Sequence, residues 1–269
     1  MPKLIAPLIL AALALALAAP ASAQIGLPPV GGQQPPPSSG GGEPQPAEPA
    51  AEDSPRRPVY AALSDERRRT RWAHALERAT VRVRPKSGAR KVARLRYDTE
   101  DGFPEVYLVL GRYTGADGRQ WLRIRVPMRP NGRTGYVRRN ALGGLHLVTT
   151  FLDIDKRRLR ATLYRSGKRV WRARVGVGKP GTGTPSGRFY IRERIRVRQR
   201  GSLYGPLAFG TSAYSRLTDW PGGGVVGIHG TNQPQLIPGR PSHGCVRIRN
   251  DDVRRLGKLM RIGTPIRIH

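Results

Sequence analysis

Ile228-His229-Gly230-Thr231-Asn232, a Pro/Gly-rich loop, and then Ser242-His243-Gly244-Cys245-Val246-Arg247-Ile248-Arg249-Asn250 make up the stretch around which the chain is organised. It holds the only cysteine of the protein. A thiol attacks an amide or ester carbonyl as its thiolate, so it needs a base to take the proton. An imidazole titrating near neutrality suits that task, and His229 and His243 both stand close in sequence. Gly244 lets a substrate approach backbone N–H groups that meet an oxyanion as it forms. A lone cysteine is also at home in a core as a small hydrophobe. A metal site would have to draw on His229, His243 and Cys245 together. No H-x-x-x-H or C-x-x-C spacing and no carboxylate pair accompanies them, so neither metal nor cofactor is expected.

Taken together, His229-Gly230 and Ser242-His243-Gly244-Cys245-Val246-Arg247 resemble the signature of the L,D-transpeptidase catalytic domain, also called the YkuD domain. Val175-Gly176-Val177-Gly178-Lys179 and Thr184-Pro185-Ser186-Gly187-Arg188-Phe189 are similar to that domain's earlier segments, so the resemblance covers about Leu145 to His269. It implies that Cys245 is the nucleophile and His229 the general base and later acid. It implies too that Ser242, His243 and Gly244 build the pocket wall and oxyanion hole beside Cys245. Arg247 falls where the family uses arginine or asparagine. Its planar guanidinium suits bidentate binding of a substrate carboxylate, or is one more solvated arginine.

Outward from this stretch, Asn250-Asp251-Asp252 before Val253, Leu256 and Leu259 predicts an N-cap, an acidic first turn and a short helix after the cysteine strand. Pro265 to Ile268 closes the sheet. Upstream, Leu145 to Thr150, Leu159 to Tyr164 and Val170 to Val177 read as strands, with a turn at Asp153 to Arg158. Phe189 to Arg198 alternates apolar residues with Arg or Glu, which predicts one buried and one wet face. Gly143-Gly144 marks a boundary. Before it, Val81 to Arg84, Val106 to Leu110, Trp121 to Val126 and Gly135 to Val137 are short strands between Gly, Asp, Asn and Pro turns. The segment Thr80 to Leu142 resembles the bacterial SH3-like domains that accompany wall enzymes. From Ser64 to Ala79 the Ala and Leu spacing predicts a helix, within an ambiguous Val59 to Arg78.

Met1 to Ala23 has a basic start at Lys3, an apolar run and Ala21-Ser22-Ala23, the pattern of a secretory signal peptide cut after Ala23. The run is short for a membrane span, so no stable anchor is expected once the leader is gone. Gln24 to Pro58 is dominated by Pro, Gly, Ala, Ser and Glu, the composition of a disordered tether. The organisation expected is therefore a signal peptide (1–23), a linker (24–58), an SH3-like domain with an N-terminal extension (59–142) and a YkuD-like domain (143–269). The fold class is mainly β: a small SH3-like barrel followed by an L,D-transpeptidase-type β-sandwich with one short helix.

With 48 Lys+Arg against 18 Asp+Glu, the formal charge is +30. The leader and the alternation of arginine with apolar residues, rather than with stacking aromatics, argue against nucleic acid as partner. Attraction to anionic wall polymers and a solvated arginine-rich sheet face both account for the charge. The resemblance implies a secreted enzyme of the bacterial wall or periplasm. It would form a Cys245 thioester with a peptidoglycan tetrapeptide stem and pass the acyl group to an amine. An L,D-carboxypeptidase using water, a non-catalytic wall-binding protein and an extracellular cysteine peptidase or amidase are the alternatives. The last lacks a glutamine-cysteine signature or a later Asn partner.

Overall fold

The computed structural model describes residues 57–218 and 221–269. The expected signal peptide and nearly all of the expected linker lie outside these residues. The first sheet is built from β1 (Val59–Ala62), β2 (Thr70–Ala73), β3 (Thr80–Arg82), β4 (Lys91–Arg94), β5 (Tyr107–Thr114), β6 (Gln120–Arg125), β7 (Thr134–Arg138) and β8 (His146–Val148). Its order is β4-β3-β7-β6-β5-β2-β8, with β1 also on β5, and it curls into a small barrel. Val81, Tyr107, Val109, Leu122, Ile124 and Val137 form its dry interior.

The helix expected between Ser64 and Ala79 is not there. Val59–Ala62 and Thr70–Ala73 are strands paired antiparallel to β5. Asp65 turns the chain between them, its Oδ1 accepting from the N–H groups of Arg67, Arg68 and Arg69. Segments this short form no stable isolated helix, and the open edges of β5 and β8 give their backbone partners instead. The strand after Gly143-Gly144 also differs from expectation. His146–Val148 pairs with β2 in the first sheet, and the second sheet starts at Thr150.

The second sheet contains β9 (Thr150–Asp155), β10 (Arg160–Arg165), β11 (Lys168–Gly178), β12 (Gly187–Arg196), β13 (Leu207–Tyr214), β14 (Val225–His229), β15 (Gly239–Ser242), β16 (Val246–Ile248) and β17 (Pro265–Ile268). Its order is β10-β9-β17-β12-β13-β14-β16-β11-β15, and β10 pairs again with β11. Two long strands make the fold a sandwich. The first part of β12 pairs with β17 and the second with β13, while β11 passes from β10 to β16 and β15. Between the layers lie Leu152, Val175, Phe189, Phe209, Ile228 and Val246.

The one α-helix among the described residues, α1 (Asn250–Leu259), follows β16 and buries Val253 and Leu256. Asp251 and Asp252 stand in its first turn, where negative charge suits the helix dipole. Asn250 does not cap it; its Oδ1 accepts instead from the N–H of Thr231, 2.9 Å away, in the loop after β14.

The wet face expected along Phe189 to Arg198 is only partly wet. Tyr190, Arg192 and Glu193 are buried, because the first sheet packs on this part of β12. Tyr190 donates its hydroxyl to Val106 O at 2.8 Å, and its ring packs with Val106 and Leu108. Arg192 reaches Glu105 with Nε at 2.7 Å and Glu100 with Nη2 at 2.9 Å. Arg96 joins both carboxylates from the other side. Burial alone would raise the Glu100 carboxyl, but Arg192, the Tyr214 hydroxyl and Arg96 hold it down at about 2.

Candidate active site

The site is set by a parallel pair. β14 and β16 run side by side with Ile228 opposite Val246 and His229 opposite Arg247. Side chains alternate across a strand, so when Ile228, Val246 and Ile248 enter the core, His229, Arg247 and Cys245 take the other face. Cys245 stands one residue before β16, beside Gly227. The Gly227 N–H points at Cys245 Sγ at 3.3 Å. A Cβ on Gly227 would lie 3.6 Å from His229 Cδ2 and 3.7 Å from Cys245 Sγ. Thiol and imidazole therefore converge over a glycine that leaves the space between them open.

The turn that presents Cys245 is tied from both sides. Ser242, 1% exposed, donates its hydroxyl to Cys245 O at 2.6 Å and accepts from the Gly244 N–H at 3.2 Å. Thr184 donates to Gly244 O at 2.8 Å and accepts from the Gly178 N–H at 2.9 Å. Gly244 has φ 132, a conformation that L side chains rarely adopt, and this explains the glycine before the cysteine. Its own N–H faces Ser242 rather than the cavity. His243 is half-buried on the same turn.

His229 is held as firmly. Its Nδ1 lies 2.6 Å from Gly230 O. A carbonyl only accepts, so Nδ1 carries the proton and Nε2 keeps its lone pair. The Tyr204 ring packs edge-on against the imidazole, with centroids 4.9 Å apart.

Residues 149–268 match the family model of the L,D-transpeptidase catalytic domain, YkuD. The matched stretch is a little under half of the chain. It is similar to a Bacillus subtilis protein named for L,D-transpeptidase YkuD, with 36% identity over 35% of this chain and 51% of that one. A Bacillus licheniformis protein of the same name is 32% identical over 44% of this chain and 62% of that one. The chain thus spans between half and two thirds of the length of these relatives. Among solved structures, that of a variant of Enterococcus faecium L,D-transpeptidase is 24% identical, covering 45% of this chain and 49% of that one at a TM-score of 0.36.

Burial pushes the Cys245 thiol above its ordinary value, against the opposing pull of the Gly227 N–H and Arg247. Burial, with the positive charge of Arg247, depresses His229 to about 4, despite its contact with Gly230 O. Near neutral pH the resting pair is a thiol and a neutral imidazole whose Nε2 is able to accept a proton. Arg247 is anchored, with Nη1 on Gln233 Oε1 at 3.0 Å, while its buried Nε has no partner among the described residues. Among the described residues, no three His, Cys, Asp or Glu side chains converge as metal ligands would.

Cys245 and His229 line a cavity of about 280 Å³ that also receives Tyr204, Phe209, Glu193 and Asp101. The last two escape a reading of the sequence. Asp101 comes from a turn of the first sheet, and Glu193 looks like one more charge on an alternating strand. The Gly210 and Gly227 positions were the available signal, since glycines facing each other on paired strands mark a cleared floor.

Proposed function

We propose that the protein is a peptidoglycan L,D-transpeptidase with Cys245 as nucleophile and His229 as general base. L,D-transpeptidases act on peptidoglycan stems. The observation that supports this reading most is the convergence of thiol and imidazole over Gly227 at the floor of a cavity. Cys245 Sγ attacks the carbonyl of the third stem residue, and its proton passes to His229 Nε2. The C–N bond to terminal D-alanine breaks as His229 returns the proton to the leaving amine. The thioester then passes the acyl group to the side-chain amine of a second stem or of a wall-attached protein. The Gly244 N–H is turned to Ser242, which leaves the Cys245 N–H as the candidate backbone donor to the oxyanion. Arg247, fixed by Gln233, offers its guanidinium to a substrate carboxylate.

We infer from the leader that the chain is exported, and from its charge that it is drawn to anionic wall polymers. The first sheet, read as an SH3-like module, would serve at the same surface. The test is an intact-protein mass spectrum after incubation with a disaccharide tetrapeptide and, separately, a carbapenem. Wild type gains an adduct and yields cross-linked product, whereas Cys245→Ala gains none. An adduct with only shortened stems would make the enzyme a carboxypeptidase. No adduct on folded wild type would leave the wall-binding reading.

A further inference from the structure

Four residues lie in one row across the second sheet. Glu193 on β12 stands opposite Gly210 on β13, Gly210 opposite Gly227 on β14, and Gly227 beside Cys245. Neighbouring strands are about 4.8 Å apart, so the row is a short track with a carboxylate at one end and the thiol at the other. The two middle positions have no side chains. A Cβ on Gly210 would collide with Glu193 Oε1, and one on Gly227 would touch Cys245 Sγ. Each end group therefore leans inward over a glycine, toward the other.

Glu193 is only 2% exposed, yet it lines the cavity. Its Oε2 accepts from the Thr99 hydroxyl at 2.5 Å. No amide, hydroxyl or guanidinium donor among the described residues reaches Oε1. The nearest fixed cation, Arg192, is engaged by Glu105 and Glu100. Asp101 lines the same end of the cavity from the first sheet, and its carboxyl hydrogen-bonds that of Glu193. In a chain with 48 Lys+Arg, none of the side chains lining this cavity is cationic. Two carboxyls that share a proton still carry a negative charge, which Arg192, spent on Glu105 and Glu100, answers only in part, and this end of the cavity suits a cation from outside.

On the transpeptidase reading above, we propose that Glu193, with Asp101 beside it, receives the ammonium group of the acceptor and delivers it along the glycine track to the acyl group on Cys245. The acceptor amine arrives protonated at neutral pH and must lose that proton before it attacks. Burial and the adjacent Asp101 carboxylate lift Glu193 to about 7, against the Thr99 hydroxyl, which makes it a suitable acceptor for that proton. The balance then closes: one proton moves from nitrogen to Glu193, and the neutral amine attacks the thioester carbon. As the C–N bond forms and the C–S bond breaks, the second proton passes through His229 to Cys245 Sγ.

The test separates acylation from transfer in the full chain. Wild type, Glu193→Gln and Asp101→Asn are acylated with a tetrapeptide donor and then given either a lysine side-chain amine or methoxyamine, which is neutral at pH 7. Glutamine keeps an acceptor for Thr99. Transfer to lysine should fall roughly tenfold or more in Glu193→Gln and about threefold in Asp101→Asn, the size of a lost charge-assisted contact. Hydrolysis should rise in its place, and transfer to methoxyamine should hold. Equal losses with both acceptors, or none with lysine, would overturn the proposal. So would slowed acylation by the tetrapeptide with normal acylation by a carbapenem, since that would put the ammonium on the donor. Failure of wild type to form any acyl-enzyme would instead remove the transpeptidase reading on which the proposal stands.

Discussion

Two buried polar clusters, one around Arg192 and one around Cys245, treat charge in opposite ways. Around Arg192, burial is answered by charge. Its guanidinium meets Glu105 and Glu100, Arg96 closes the group from the barrel, and the Tyr214 hydroxyl donates to Glu100 at 2.6 Å. Around Cys245, burial is answered by neutrality, with the thiol pushed up and the imidazole pushed down. The first cluster engages its polar atoms with one another and locks two sheets together. The second leaves the Nε2 lone pair uncommitted and gives the sulfur only the Gly227 N–H. A buried group free to react is thus told from a buried group that holds structure by which atoms are left without partners.

Substitutions break this comparison in order of size. Cys245→Ala removes the only thiol and should abolish acyl-enzyme formation while thermal unfolding stays close to wild type; turnover in the purified variant would refute the assignment. His229→Ala should slow acylation by roughly 10²- to 10⁴-fold, the usual weight of a general base. If His243→Ala proved the more damaging change, the two histidines would exchange roles. Arg192→Ala acts on the other cluster. It leaves Glu105 buried with less positive charge, and denaturant melts should show a loss of about 3–5 kcal/mol, with acylation per folded molecule little altered. Gly227→Ala sets a methyl group between imidazole and thiol without a backbone clash, so acylation should fall by about tenfold to a hundredfold at nearly unchanged stability.

Acid sharpens the contrast more gently. A histidine whose folded pKa lies below its unfolded one is bound to fewer protons in the native state. Its contribution is full above about pH 6.5 and declines as pH falls toward about 4. Melts of wild type and His229→Gln should therefore draw closer across that window. The Glu100 carboxyl in the Arg192 cluster contributes fully above about pH 4.5, and its contribution declines as pH falls from there through about 2. Parallel melting curves for the two proteins from pH 7 to 4 would show that His229 is not held neutral by the fold.

Much of the second sheet was legible because its signals are local. Ser242 to Arg247 marks a strand, a tight turn and a candidate nucleophile within a few residues, and the apolar stripe from Val253 to Leu259 marks α1. What escaped depends on contacts between distant segments. Nothing near Arg192 says that Glu105 will cover it, so alternation along β12 reads as a wet face. Thr70–Ala73 is a strand only because β5 and β8 flank it. Asn250 has the look of a cap, yet its side chain is claimed by Thr231, a residue of the loop after His229. The acidic end of the cavity is assembled from two sheets, and no window of sequence contains both Asp101 and Glu193.

The joint between the sheets also bears on modular exchange. Arg129 donates to the carbonyls of Ser215, Leu217 and Gly223, and Asn131 pairs through its side-chain amide with the backbone of Tyr214. These residues, like Glu105, belong to the barrel, while the groups they hold flank the cavity that Cys245 and His229 line. Residues 149–268 are therefore not a cassette that can be grafted behind an arbitrary partner. A swap that carried them alone would strip Arg192 of its carboxylates, bare the Tyr190 ring and unfasten one wall of the cleft, so the two halves must be inherited as a pair.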